Sequence, residues 1–351
     1  MDSSARALAP QAASFPDLLD RLLDRRSLSM RDAQAIMEEV LDGGLGPERL
    51  AAFVTAIRAK PLDAFELAGF ANAMRSRGEH VHHHRTGPLV DTCGTGAARV
   101  KTFNVSTAAA FVVASLGVPV AKHGNRSVTR PSGSADVLER AGARLVLAPG
   151  RAAAILDELG IVFLHAPAFH PAMKHAAQVR QALGVRTVFN LLGPLSNPAG
   201  AREQVVGVHD VGALRPMAEA LHLLGVRNAY VVHGEPGFDE ASVCGPTHTV
   251  RVKDGHVGPP IVYTPEELGL PRHAPTAVAP VPAEDAAPTL RAILAGERGP
   301  RADIVALNAA FALHVTGRAS SVAHGVRLAQ DQLASGAAAR LLDQYVAATQ
   351  A

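Results

Sequence analysis

From Phe15 the hydrophobic positions first follow a helical rhythm and then change to alternating strands and helices. Phe15, Leu18, Leu19, Leu22 and Leu23 share one helical face. Ser29 stands at an N-cap position and predicts a helix through Leu41, ended by Gly43-Gly44. Pro47 opens another helix, through Ala59. Asp63 opens a fourth, carrying Phe65, Leu67, Phe70 and Met74. Four helices with no strand between them predict a small helical domain to about Arg77. Residues 1 to 14 read as a loose tail.

From Pro88 the pattern changes. Apolar runs at Pro88–Cys93, Val118–Ala121, Arg144–Leu147, Ile161–Leu164, Gln204–Val208 and Asn228–Val232 read as strands. Helices are expected after Asn104, from Ala135, at 150–158, from Pro171 to Ala182 and over Ala213–Leu224. Residues 241 to 265 read as turns and short strands, and 275 to 287 as a Pro/Ala-rich surface loop. Three helices, Ala302–Thr316, Ser321–Ser335 and Ala337–Ala348, end the chain. The expected fold class is α/β: a small N-terminal α-helical domain plus a larger α/β domain, its central mostly parallel sheet flanked by helices.

Composition narrows the class. Aromatic residues make up only 4% of the 351 and Trp is absent, so the core must be built from Ala, Val and Leu. A net charge of +2 gives no field that recruits nucleic acid or an anionic membrane. Two cysteines, Cys93 and Cys244, make no disulfide framework. No signal-peptide core and no run near the ~20 apolar residues of a membrane span is present, so a soluble cytoplasmic protein is expected. His80, His82, His83 and His84 lack metal-ligand spacing and read as a solvated linker and candidate hinge.

The candidate chemistry lies between Asp91 and Glu139. Gly94-Thr95-Gly96 follows the first strand, and Asn104-Val105-Ser106-Thr107 is expected to cap the next helix with its hydroxyls. Lys122-His123-Gly124-Asn125-Arg126 follows the second strand, then Ser132-Gly133-Ser134 before a helix. Strand, glycine turn and helix N-terminus together form an anion site, and two such units with Lys122 and Arg126 suit a ligand with several phosphates. Neither a Walker A ending nor a third dinucleotide glycine is present, since position 99 is Arg. Asp239 and Glu240 are adjacent acids just past a strand, a solvated turn or a hard-cation site. Arg180 lies one turn from a helix end, where it could serve the helix dipole or hold a planar carboxylate.

These motifs, Gly94-Thr95-Gly96 with Asn104-Val105-Ser106-Thr107, then Lys122–Ser127, then Ser132–Asp136, resemble the anthranilate phosphoribosyltransferases of tryptophan biosynthesis. The segment from Ala166 to Gly200 and Val231–Glu240 extend the resemblance to most of the chain. It implies transfer of the phosphoribosyl group of 5-phosphoribosyl 1-diphosphate to the amine of anthranilate. Donor contacts are implied at Gly94, Ala97, Ala98, Thr102, Asn104, Val105, Ser106, Thr107, Lys122, His123, Gly124, Asn125, Arg126, Ser127 and Ser134. Anthranilate contacts are implied at Gly94, His123, Asn125, His170, Arg180 and Pro194, and Mg²⁺ ligands, for two ions per monomer, at Ser106, Asp239 and Glu240. The resemblance also implies a homodimer through the helical domain. That domain, residues 1–85, is expected to regain 171–203, leaving 86–170 and 204–351 to the α/β domain.

The chain departs from the family's GTGGD at Ala97-Ala98-Arg99. Alanine resists the positive φ that glycine permits, an acid is lost, and Arg99 offers a cation to the diphosphate. Thr129-Arg130-Pro131 is also unusual. Two other readings compete. A pyrimidine nucleoside phosphorylase shares the superfamily's fold, but Arg180 and Asn190–Pro198 match the transferase. A weakly catalytic paralogue that binds nucleotide or nucleic acid would suit the altered loop, against the near-neutral charge.

Overall fold

The computed structural model describes residues 13–96, 98–127 and 131–351. Most of the expected tail, Ala97, and Thr129 with Arg130 lie outside the described residues. Four helices open the chain: α1 (Phe15–Leu23), α2 (Met30–Leu41), α3 (Pro47–Arg58) and α4 (Ala64–Ser76). Ser14, Ser29 and Asp63 cap α1, α2 and α4 by accepting first-turn N–H groups. α2 and α4 pack backbone to backbone. A Cβ on Gly69 would stand 2.4 Å from the Met30 carbonyl oxygen. A buried ion pair, Lys60 Nζ to Glu66 Oε2 at 2.6 Å, ties α4 to the end of α3.

The α/β part begins with β1 (Val90–Gly94), α5 (Val105–Ser115), β2 (Val120–Gly124), α6 (Ser134–Arg140), α7 (Pro149–Leu159) and β3 (Ile161–His165). α8 (Ala166–Phe169), α9 (Lys174–Leu183) and α10 (Phe189–Leu192) follow. The chain re-enters the sheet with β4 (Glu203–Gly207), α11 (Leu214–Leu223), β5 (Asn228–Gly234), β6 (Thr247–Lys253) and β7 (His256–Tyr263). Four helices finish it: α12 (Ala286–Leu294), α13 (Pro300–Val315), α14 (Val322–Ala334) and α15 (Ala337–Gln350). The seven strands lie in the order β3-β2-β1-β4-β5-β6-β7. The first five are parallel, and β6 and β7 add an antiparallel hairpin. The expected α/β class with a mostly parallel sheet is therefore observed.

Alternation along the strands divides the core in two. Val205, Tyr230 and Val232 face α5, α12, α13 and α15. Val206, Val208, Ala229 and Val231 face the other way, against α11. That second core runs on without a break into α1–α4 and includes Ala176, Val179, Val188, Phe189, Leu191, Leu192 and Leu195. Among the described residues no helix is long and apolar enough to cross a membrane.

Three expectations change. Arg144–Leu147 joins no strand of the sheet. Leu145 and Leu147 are buried while Val146 is 67% exposed, so the alternation is real. The Arg144 N–H, however, donates to Thr349 Oγ1 on α15 at 3.0 Å rather than to a neighbouring strand. Residues 241–265 contain one long hairpin instead of several short strands. Its edge strand β7 carries Pro259 and Pro260, which have no N–H to offer another strand. The 275–287 segment is pinned inward by Val278 and Val281 and runs into α12.

Candidate active site

β1 and β4 end on glycines in register, Gly94 opposite Gly207. A Cβ on Gly207 would stand 1.6 Å from the Asp239 carbonyl oxygen, and one on Gly94 3.0 Å from Asp239 Oδ2. The missing side chains let the loop after β5 lie across the carboxyl ends of both strands, where ligands bind in open α/β sheets. Asp239 and Glu240 are buried there. Asp239 Oδ2 accepts the Gly96 N–H at 2.7 Å, and Glu240 Oε2 accepts Thr102 Oγ1–H at 2.6 Å. No group of three or more His, Cys, Asp or Glu among the described residues could hold a metal alone. Two adjacent carboxylates with neutral oxygens nearby suit a hard cation that completes its shell with phosphate and water.

The next unit is built by α5 and β2. α5 starts at Val105, and no side chain caps it. The expected hydroxyl cap is absent: Asn104 Nδ2 donates instead to Ser132 O at 3.2 Å, and Ser106 Oγ accepts Lys122 Nζ at 3.1 Å. No side chain takes the first-turn N–H groups of α5, and that of Val105 donates to the Phe103 carbonyl at 2.8 Å. Lys122, 3% exposed, also donates to Thr92 O. Arg126 departs from expectation. Its guanidinium is already held by both Glu139 oxygens at 2.7 Å and by Asp136 at 3.1 Å. Those carboxylates raise its pKa further above the usual arginine range. Asp136 Oδ2 also takes the N–H groups of Ser127 and Gly133, so the second loop supplies its own anion.

A cavity of about 530 Å³ connects these units to α9 and α10. Gly94, Ser106, Lys122, His123, Gly124 and Asn125 line it, followed by Arg126, Ser127 and Ser134. His170, Arg180 and Pro194 form the opposite wall with Phe189, Asn190 and Met173. Thr102, Asn104, Val105 and Thr107 are instead buried behind the wall, as is Ala98. Asp239 and Glu240 also lie behind it. Arg180 sits over the Phe189 ring at 5.3 Å, and burial lowers its pKa. His123 and His170 are buried with ring centroids 5.2 Å apart. Burial, then His170, pushes the His123 pKa down to about 3. Its Nδ1–H therefore donates to Gly193 O at 2.9 Å, leaving Nε2 as a bare acceptor. Pro194 contributes its carbonyl, which accepts Gln204 Nε2 at 2.9 Å.

Sequence reasoning missed Asp91 and Asn197. Asp91 is fully buried on β1. Its Oδ1 accepts the His123 N–H at 3.1 Å, and its Oδ2 accepts Asn197 Nδ2 at 2.8 Å. Burial raises its pKa to about 6, opposed chiefly by the Lys122 charge. An acid inside the apolar run Pro88–Cys93 was the available signal. Arg186, which donates to Ala98 O at 3.2 Å, was missed as well.

Comparison with known proteins agrees with this geometry. Residues 86–339 match the model of the Glycosyl transferase family, a/b domain, and residues 16–78 match that of the family's helical bundle domain. The anthranilate phosphoribosyltransferase of Rubrobacter xylanophilus is 48% identical over 91% of this chain and 93% of its own. The chain belongs to the anthranilate phosphoribosyltransferase family. A second relative of that name, from Moorella thermoacetica, is 46% identical over 94% of this chain and 96% of its own. The anthranilate phosphoribosyltransferase of Thermus thermophilus, known from a crystal structure, is 43% identical, with a TM-score of 0.90 over 95% of this chain and all of its own. The Saccharomyces cerevisiae anthranilate phosphoribosyltransferase, solved in complex with PRPP and Mg, is 26% identical with a TM-score of 0.87 over 96% of this chain and 98% of its own. The motifs that suggested the anthranilate phosphoribosyltransferase family follow the carboxyl ends of β1, β2, β3 and β5.

Proposed function

We infer that this protein is a pentosyltransferase that moves the 5-phosphoribosyl group of 5-phosphoribosyl 1-diphosphate onto the amine of anthranilate, in tryptophan biosynthesis. The observation that carries the reading is one cavity lined by Lys122 and Ser106 on one side and by Arg180 and Phe189 on the other. A multiply charged donor and a planar aromatic acid need that pairing. Donor contacts are assigned to Gly94, to Ser106 at the start of α5, to 122–127 and to Ser134, all on the cavity wall. Arg180 takes the anthranilate carboxylate in a two-pronged hydrogen bond, with Phe189 beneath the guanidinium.

In the reaction the bond from the anomeric carbon to the diphosphate oxygen breaks and a carbon–nitrogen bond forms. Negative charge grows on the departing diphosphate, and the buried Lys122 ammonium lies beside its site. An aryl amine is already neutral at pH 7, so the chain's main task is positioning. The proton that the amine sheds goes to the departing diphosphate or to water, because burial keeps His123 too weakly basic to hold it. Asp239 and Glu240 would hold Mg²⁺, and Ser106 a second ion. An ion held there would supply positive charge against the diphosphate.

The test is loss of anthranilate fluorescence on mixing protein, donor and Mg²⁺. Arg180→Ala is expected to raise the anthranilate KM roughly thirtyfold, the equivalent of about 2 kcal/mol for a hydrogen-bonded charge. Asp239→Ala/Glu240→Ala is expected to abolish Mg²⁺-dependent turnover. Folded wild-type protein that shows no turnover at any Mg²⁺ concentration would sink the reading.

We further assign 171–203 to the helical unit, on the core that Ala176–Leu195 shares with α1–α4. A homodimer through that unit is supported by Leu23 and Phe65, which are 65% and 54% exposed. Sedimentation of a monomer at micromolar concentration would refute it. Two unpaired cysteines are consistent with a cytoplasmic location, which fractionation of the native cells would test.

A further inference from the structure

We propose that Asn190 sets the specificity of the acceptor end of the cavity: its side-chain amide donates to the carboxylate of the aromatic acid, beside Arg180. The choice of substrate rests on the proposed transfer reaction, whereas the donor character of this wall does not.

Asn190 is half-buried on α10 and lines the cavity next to Phe189. The Phe189 ring centroid lies 5.3 Å from Arg180 Cζ, so Asn190 and Arg180 belong to one wall. The backbone here is held by the Asn190 N–H, which donates to Thr187 O at 3.1 Å. The side chain closes the same turn in the opposite sense, with the Thr187 N–H donating to Asn190 Oδ1 at 3.0 Å. An N–H requires an acceptor, so this contact decides which end of the amide is the oxygen. The oxygen is spent on Thr187, and the Nδ2 hydrogens point away from it. Among the described residues those hydrogens have no partner, and Nδ2 is not one of the unpartnered atoms sealed inside the protein. The amide therefore presents hydrogen-bond donors to open space at the cavity wall.

The chemistry of the wall says what they meet. None of the described residues that line the cavity is Asp or Glu. Lys174 and Arg180 line the same end, and both can only donate. The matching ligand group is an acceptor with negative charge. Of the two polar groups of an ortho-amino aromatic acid, the carboxylate fits. Its oxygens offer about four lone pairs, and a two-pronged arginine uses two of them. The amine has a single lone pair, which must attack the anomeric carbon, and a hydrogen bond donated to it would oppose the reaction. An aromatic amine without the carboxylate leaves both Arg180 and Asn190 unpaired, which is how a polar site rejects an analogue lacking its partner.

Asn190→Asp separates the two ends of the amide, because it keeps an acceptor for the Thr187 N–H and removes the donor. Its thermal midpoint should stay within about 2 °C of the wild type. Equilibrium titration of the protein, read by anthranilate fluorescence, should show binding weakened at least about thirtyfold. Anthranilamide, the neutral analogue whose own N–H can meet the introduced carboxylate, should lose less than about threefold in the same titration. The donor KM should stay within about twofold. Unchanged anthranilate affinity would overturn the proposal. An equal loss for the acid and the amide would mark Asn190 as a structural tie and overturn it as well. If Asn190→Asp does not fold, Asn190→Leu is titrated in its place. About tenfold weaker anthranilate binding with a smaller loss for anthranilamide then supports the proposal, and equal losses overturn it. Absence of turnover in the wild type would count against the transfer reaction, and the binding titrations would still decide the role of Asn190.

Discussion

At the scale of single residues, buried histidines set the response to acid. Burial, then the Arg251 and Lys253 charges, pushes His314 down to about 4, and His123 falls to about 3. His314 is hydrogen-bonded through Nδ1 to Tyr230 Oη at 3.1 Å. Both folded values lie below the ordinary 6.5 of an unfolded chain. Each group therefore contributes its full stability above pH 6.5 and loses it as pH falls towards its folded value. Asp91, raised to about 6, acts in the opposite sense between pH 6 and 3.8 and offsets part of the loss. His314→Gln keeps a partner for Tyr230 and cannot take up the proton. Its thermal midpoint should fall less between pH 6.5 and 4 than that of the wild type, and parallel curves would refute this account. Arg126 shows the limit of sequence at this scale. Its position in a polar glycine loop was legible, but its carboxylate partners lie ten and thirteen residues further on. Only the turn into α6 brings them back.

At the scale of elements, two close approaches separate stability from function. Gly69 lets α2 touch α4, and Gly207 lets the acidic loop rest on β4. Gly69→Ala should destabilise by about 1–3 kcal/mol through overpacking, with both KM values unchanged. Gly207→Ala should displace Asp239 and reduce turnover at least about tenfold, through a weakened Mg²⁺ response. Thermal melts and Mg²⁺ titrations of both variants check this, and equal effects on activity would refute it. Helices α1–α4 were legible because their caps and apolar spacing agree with the contacts they make. Arg144–Leu147 misled because a strand-like alternation also arises wherever an extended segment covers a helix. The β6–β7 hairpin was underestimated because Gly258, Pro259 and Pro260 interrupt the run.

At the scale of the whole molecule, the fold class was readable from one change of rhythm near Pro88. The cavity was readable only in part. Lys122, His123 and Arg180 sit in recognisable motifs, whereas Asp91, Asn197 and Gly207 gain their roles only when β1, β2, β4 and the return segment are assembled. The path of residues 171–203 was not derivable from pattern, since nothing in the periodicity of α9 says which core it joins. That path has a genetic consequence. The apolar interior of α1–α4 is completed by residues 176–195, encoded beyond three strands of the sheet. The bundle therefore cannot be cut out as one contiguous stretch of coding sequence, or exchanged for another by a single recombination, without exposing its interior. Its two halves are inherited together.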